Sequence, residues 1–145
     1  MNRTQQFAVL SLVLVALVVP AGADGFVLIR NAKSPSAALS KSEVRAIYTG
    51  KAKMFGNDVA VVVVPSDDTP AFAGFADQVF GTNTKTLLTK IKQEVFKGEM
   101  SKPLKAAADD EVVHLVAGTA GAIGVVSAPA AKGLPATVAV IAIGG

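Results

Sequence analysis

The sequence predicts an α/β domain, a mixed, mainly parallel sheet of about four strands flanked by helices. Three observations carry that expectation. Val59-Ala60-Val61-Val62-Val63-Val64 is an unbroken, mostly β-branched run, the pattern of a strand covered on both faces. Segments with helical spacing and marked ends alternate with such runs, which sets helices against a sheet. The 145 residues, 51% hydrophobic and 17% charged, hold enough apolar material for one core but not for two.

Residues 1–23 read as a secretory leader. Arg3 gives the positive start, Phe7 to Val19 the apolar run, Pro20 a break, and Ala21-Gly22-Ala23 the small residues at which a signal peptidase cuts. A membrane anchor is the alternative. At about 1.5 Å per residue, however, that run reaches only about 20 Å, short of the roughly 30 Å hydrocarbon core. A type IV prepilin would carry its apolar helix after the cleavage site, and no cysteine is present for lipid attachment. The expectation is a periplasmic protein whose residues 24–145 form a single domain.

Within that stretch, Gly25 to Arg30 is the first predicted strand, Val59 to Val64 the second, Ala122 to Val126 the third and Thr137 to Ile143 the fourth. The first helix is announced by Ser40 and Glu43, a capping box, followed by Val44, Ile47 and Tyr48 on one face and Gly50 at the end. The second runs over Pro70 to Phe80, with Thr69 as its N-cap, Pro70 in its first turn and Gly81 as its stop. Phe72, Phe75, Ala76, Val79 and Phe80 give it a helical apolar face. The third covers about Thr84 to Lys97, with Leu87, Leu88, Ile91 and Val95 inward and Gly98 beyond. The fourth covers about Asp109 to Ala117, its acidic first turn favoured by the helix macrodipole.

Composition narrows the chemistry. Without cysteine there is no disulfide, no thiolate metal site and no cysteine nucleophile, and a single histidine removes mechanisms that need two imidazoles. No enzyme, cofactor or metal site is expected. Fourteen Lys and Arg against eleven Asp and Glu give a net charge of +3, too weak for a nucleic-acid partner. His114, four residues after Asp110, reads as ordinary stabilisation near a helix end. Asp109-Asp110-Glu111 lacks the alternating spacing of a calcium loop. Gly118 to Gly124 is glycine-rich but follows a helix and enters a strand, the reverse of a phosphate or dinucleotide loop.

Val64-Pro65-Ser66-Asp67-Asp68-Thr69-Pro70 is the informative stretch. It leaves a buried strand and enters a helix, the position at which α/β sheets hold ligands and where backbone N–H groups attract anions. Ser66 and Thr69 add hydroxyls; Asp67 and Asp68 add negative charge that opposes an anion. On spacing alone, a polar turn with a helix cap is the better reading of these residues. Lys51 and Lys53 would add positive field if the loop after Gly50 folded toward the stretch.

Two motifs give the chain a resemblance. Leu39-Ser40-Lys41-Ser42-Glu43-Val44-Arg45-Ala46-Ile47-Tyr48-Thr49-Gly50-Lys51 resembles the helix that precedes the phosphate loop in the phosphate-binding proteins of bacterial ABC importers. Thr119-Ala120-Gly121-Ala122-Ile123-Gly124-Val125-Val126 is similar to a second motif of that family, and Asn31 fits its crossover segment. The resemblance implies one lobe of a type 2 periplasmic binding protein, with a ligand site at Ser66, Asp67, Asp68 and Thr69. The family's loop arginine is Pro65 here, and its last glycine and threonine are Pro70 and Ala71. Losing a guanidinium removes charge-assisted hydrogen bonds worth roughly 1.5–3 kcal/mol each, and Pro70 removes a backbone donor. The function so implied is weak binding of phosphate or another small oxyanion, with a membrane transporter, porin or sensor as partner and homo-oligomerisation left open. The alternative is a periplasmic protein-interaction module built on a degenerate lobe.

Overall fold

The computed structural model describes residues 25–35 and 38–144. The predicted leader lies outside the described residues. Among the described residues, eight strands and four helices follow one another as β1 (Val27–Asn31), β2 (Ala38–Ser40), α1 (Lys41–Tyr48), β3 (Met54–Phe55), β4 (Asp58–Val59), β5 (Val61–Pro65), α2 (Pro70–Phe80), α3 (Thr84–Phe96), β6 (Leu104–Ala106), α4 (Asp109–Gly118), β7 (Ala122–Val126) and β8 (Val138–Gly144), with a 3₁₀ turn at Ala130–Gly133.

The main sheet has six strands in the order β2-β8-β1-β7-β5-β6. β7, β5 and β6 are mutually parallel, as are β2 and β8, while β1 runs antiparallel to both of its neighbours. The sheet is thus mixed and mainly parallel, as expected, with six strands where about four were predicted. The two additional strands are β2 and β6, each of three residues and too short to leave an apolar run in the sequence.

Side chains alternate across the sheet with the period of two that strands impose. Leu28, Val62, Val64, Ile123 and Val125 face a core shared with α1, α2 and α3. Ile29, Val63, Ala122 and Val126 face a second core closed by Val112 and Val116 of α4. Helices therefore cover both faces, which is why the valine run carries no polar alternation. One part of that run behaves otherwise. Val59 is 55% exposed and belongs to the separate β3–β4 hairpin, so the core strand begins at Val61.

The helix ends follow the local chemistry. Ser40 Oγ accepts from the Glu43 N–H while Glu43 returns a carboxylate to the Ser40 N–H, completing the capping box. α2 spans the predicted residues, with Thr69 as N-cap and Gly81 as C-cap. In α3, Leu87 and Ile91 are buried as expected, but Leu88 and Val95 are only half-buried and Glu94 takes an inward position.

Two glycines fix the approach of the layers. A Cβ on Gly124 would lie 2.6 Å from Val112 Cγ1, so its absence lets α4 settle close on β7. Gly121 has φ of +80°, and a Cβ there would lie 2.2 Å from the Val59 carbonyl oxygen. That turn brings the entry of β7 against the hairpin, and the Val61 N–H donates to the Gly121 carbonyl at 3.0 Å.

Candidate functional site

β5 ends at Pro65 and α2 begins at Pro70, so Ser66 to Thr69 sit at the carboxyl end of the parallel strands, opening into a helix N-terminus. The Ser66 N–H donates to the Ala106 carbonyl at 2.8 Å, which ties the loop to the end of β6. Ser66, Asp67 and Asp68 are exposed and Thr69 is half-buried. Thr69 Oγ1 accepts from the Phe72 N–H at 3.2 Å. Pro70 has no N–H, and the Ala73 N–H returns to the Thr69 carbonyl at 2.9 Å. Of the first-turn donors, that leaves the Ala71 N–H without an intrahelical acceptor. The helix cap and the candidate site are the same residues.

Behind the loop lies the start of α4. Asp109 Oδ2 accepts from Ser127 Oγ at 2.6 Å and from the Ser127 N–H at 3.3 Å, joining α4 to the end of β7. Glu111 Oε1 accepts from the Ala107 N–H at 2.6 Å. Pro65 and Thr69 meet Ala106 to Asp109 around a cleft of about 10 Å³, room for about one water molecule. The loop is therefore an open surface over a filled interior. Asp109 and Ser127 have no local sequence pattern linking them; only the adjacency of β5, β6 and β7 brings them behind the loop.

The strand ends are acidic, with Asp67 and Asp68 on the loop and Asp109, Asp110 and Glu111 in the first turn of α4. Lys105 on β6 stands opposite Val64, two residues before Ser66, and is exposed. A lone lysine in a three-residue strand gave no signal in the sequence. Lys51 and Lys53 lie elsewhere. Lys53 Nζ donates to the Gly50 carbonyl at 3.0 Å and to the Glu99 carbonyl, and the cavities these two lysines line include none of Ser66 to Thr69. His114 is exposed on α4. Among the described residues no group of three or more His, Cys, Asp or Glu side chains is placed to hold a metal ion.

A family model described as a PBP superfamily domain matches residues 3–144. No curated protein matches the chain in sequence. Solved structures do match in fold. A Clostridium perfringens protein solved with bound phosphate, of the phosphate ABC transporter substrate-binding kind, superimposes with a TM-score of 0.62 at 21% identity, covering 82% of this chain and 44% of that one. An ABC-type phosphate transport receptor from Vibrio cholerae gives 0.55 at 17% identity, covering 82% and 46%. PstS from Borrelia burgdorferi gives 0.58 at 14% identity, covering 83% and 47%. This chain thus spans less than half the length of the structures it matches, and at these identities the likeness establishes the fold.

Proposed function

Because the chain belongs to the PBP superfamily, we propose that residues 24–145 act as an exported solute-binding lobe following a leader over residues 1–23. The lobe takes up a small oxyanion such as phosphate, weakly, at Ser66, Asp67, Asp68 and Thr69. One observation carries the reading: the four residues form the turn from the carboxyl end of a central parallel strand into a helix N-terminus, where α/β sheets hold ligands.

The donors suited to an oxyanion are the Ser66 and Thr69 hydroxyls and the Ala71 N–H, with Lys105 as the nearby positive charge. Asp67 and Asp68 repel an anion but also select one. An ionised carboxylate only accepts hydrogen bonds, so it engages an oxyanion that keeps a proton. Hydrogen phosphate qualifies near neutral pH and sulfate does not. With one lobe to exclude water, affinity is modest. Delivery to a membrane transporter is the role this reading implies.

Thermal-shift titration with phosphate and with sulfate tests it. Ligand at about 100 times its dissociation constant adds about 2.7 kcal/mol of apparent stability. A phosphate-specific rise that Asp67→Ala abolishes supports the site. No rise with either ion at millimolar concentration sinks it.

A further inference from the structure

A second part of the molecule has the chemistry of an anion site, apart from the Ser66–Thr69 loop. Between α1, the turn that follows it and α3 lies an open cavity of about 550 Å³. Arg45, Lys51, Lys90 and Lys97 line it together with Glu94 and Glu99. Both carboxylates are already matched. Glu94 Oε2 lies 3.1 Å from Lys97 Nζ and 3.5 Å from Lys90 Nζ, and Glu99 Oε1 lies 3.6 Å from Lys53 Nζ. Cations from three segments outnumber these carboxylates, so the cavity carries surplus positive charge.

Part of that charge is held in place. The buried Glu94 gathers the ammonium groups of Lys90 and Lys97 to one point. Arg45 Nη1 donates to the Val79 carbonyl at 2.9 Å, which fixes the guanidinium near the end of α2. A guanidinium carries five N–H donors in a rigid fork, so that single bond leaves most of them for a ligand. Phe80, half-buried, gives the cavity an apolar wall.

We propose that this cavity binds a small phosphate monoester, with Arg45 and Lys51 on the phosphoryl oxygens and the organic group against Phe80. A doubly charged oxyanion matches the surplus of positive charge, and three terminal oxygens accept from donors on separate segments at once. The proposal stands or falls independently of the Ser66–Thr69 loop.

The test is an amide-resolved NMR titration of the protein with phenyl phosphate at low ionic strength. Saturable shifts centred on Arg45 to Lys51 and Lys90 to Lys97 are expected, weakened by added salt. Lys51→Ala should weaken binding about tenfold, and Lys132→Ala, an exposed lysine on the 3₁₀ turn away from both sites, should leave it unchanged. Arg45→Ala should lose at least as much. Lys51 is exposed and outside the core, so its variant keeps the test decisive if the Arg45 variant fails to fold. Shifts confined to Ser66 to Thr69 with none at the cavity, no saturable shift by about 20 mM, or Lys51→Ala binding like the parent would overturn the proposal.

Discussion

The buried side-chain amide of Asn31 donates to the Val116 carbonyl at 3.0 Å and to the Ala117 carbonyl at 3.2 Å, so the last residue of β1 satisfies the final turn of α4. Its Oδ1 accepts from the Lys33 N–H at 2.9 Å, turning the chain away from the sheet. Asn31→Ala leaves buried carbonyls without a donor and should cost about 1–3 kcal/mol in urea denaturation. Asn31→Asp should be at least as harmful, because it adds negative charge at a helix C-terminus. A variant as stable as the parent would show that water replaces the amide.

Tyr48 presents the opposite case. Its ring lies 4.8 Å from that of Phe75 and 6.4 Å from that of Phe80, and its buried hydroxyl has no partner among the described residues. Tyr48→Phe removes that unsatisfied group and should stabilise the fold by about 1 kcal/mol. Burial pushes the phenol far above its ordinary range. The raised value means its contribution is complete below the ordinary tyrosine pKa of about 10 and declines as pH rises beyond it. Since Tyr48 is the only tyrosine, phenolate absorbance reports its ionisation directly. The parent should lose stability more steeply above about pH 10 than Tyr48→Phe; matching slopes would refute this.

Gly121→Ala places a Cβ against the Val59 carbonyl in a left-handed turn. Conformational strain of order 1–3 kcal/mol adds to the clash, and the thermal midpoint should drop by several degrees or more. Gly133, around which a Cβ meets no atom within 4 Å, is the control: alanine there should change little.

Glu94 gives an acid-side prediction. The hydrogen bond from Lys97, first, and the Lys90 contact hold its carboxyl below the ordinary range against partial desolvation. A depressed pKa contributes stability that is present above the ordinary glutamate value and is lost as pH falls through the folded-state value. The parent should therefore exceed Glu94→Gln in thermal midpoint at neutral pH, the gap closing as the solution is acidified. A gap constant with pH would assign the effect to packing instead.

At the Ser66–Thr69 loop, Asp67→Ala should narrow any preference for phosphate over sulfate by removing the acceptor that needs a protonated ligand. Thr69→Ala should cost about 1 kcal/mol of stability through the lost helix cap. Calorimetric titration beside thermal denaturation separates the two roles. An unchanged ion preference in Asp67→Ala would remove Asp67 from the site.

What the sequence made legible was local. Thr69, Pro70 and Gly81 bound α2, and Ser40 with Glu43 opens α1, because caps act within a few residues. The β-branched character of Val59 did not distinguish a hairpin edge from a core strand, since both favour it. β2 and β6 arise because β8 and β5 offer unpaired edges, which no property of Ala38–Ser40 or Leu104–Ala106 announces. Glu94 sits inward where apolar spacing pointed to its neighbours because two lysines neutralise it there. The Ser66–Thr69 loop was legible from strand-then-helix order, whereas Lys105, Asp109 and Ser127 reach its surroundings only through tertiary pairing.

The position of β1 bears on how the chain acquires its structure. The strand near the amino end is flanked by β7 and β8, with Leu28 opposite both Val125 and Ile141. Nearly the whole described chain must be available before the middle of the sheet can close. High sequence separation of this kind slows the folding transition, and on a ribosome β1 has neither of its sheet partners until β7 and β8 emerge. Closure of the six-stranded sheet is then a late step in the folding of the described residues, because β1 waits on two strands about a hundred positions away.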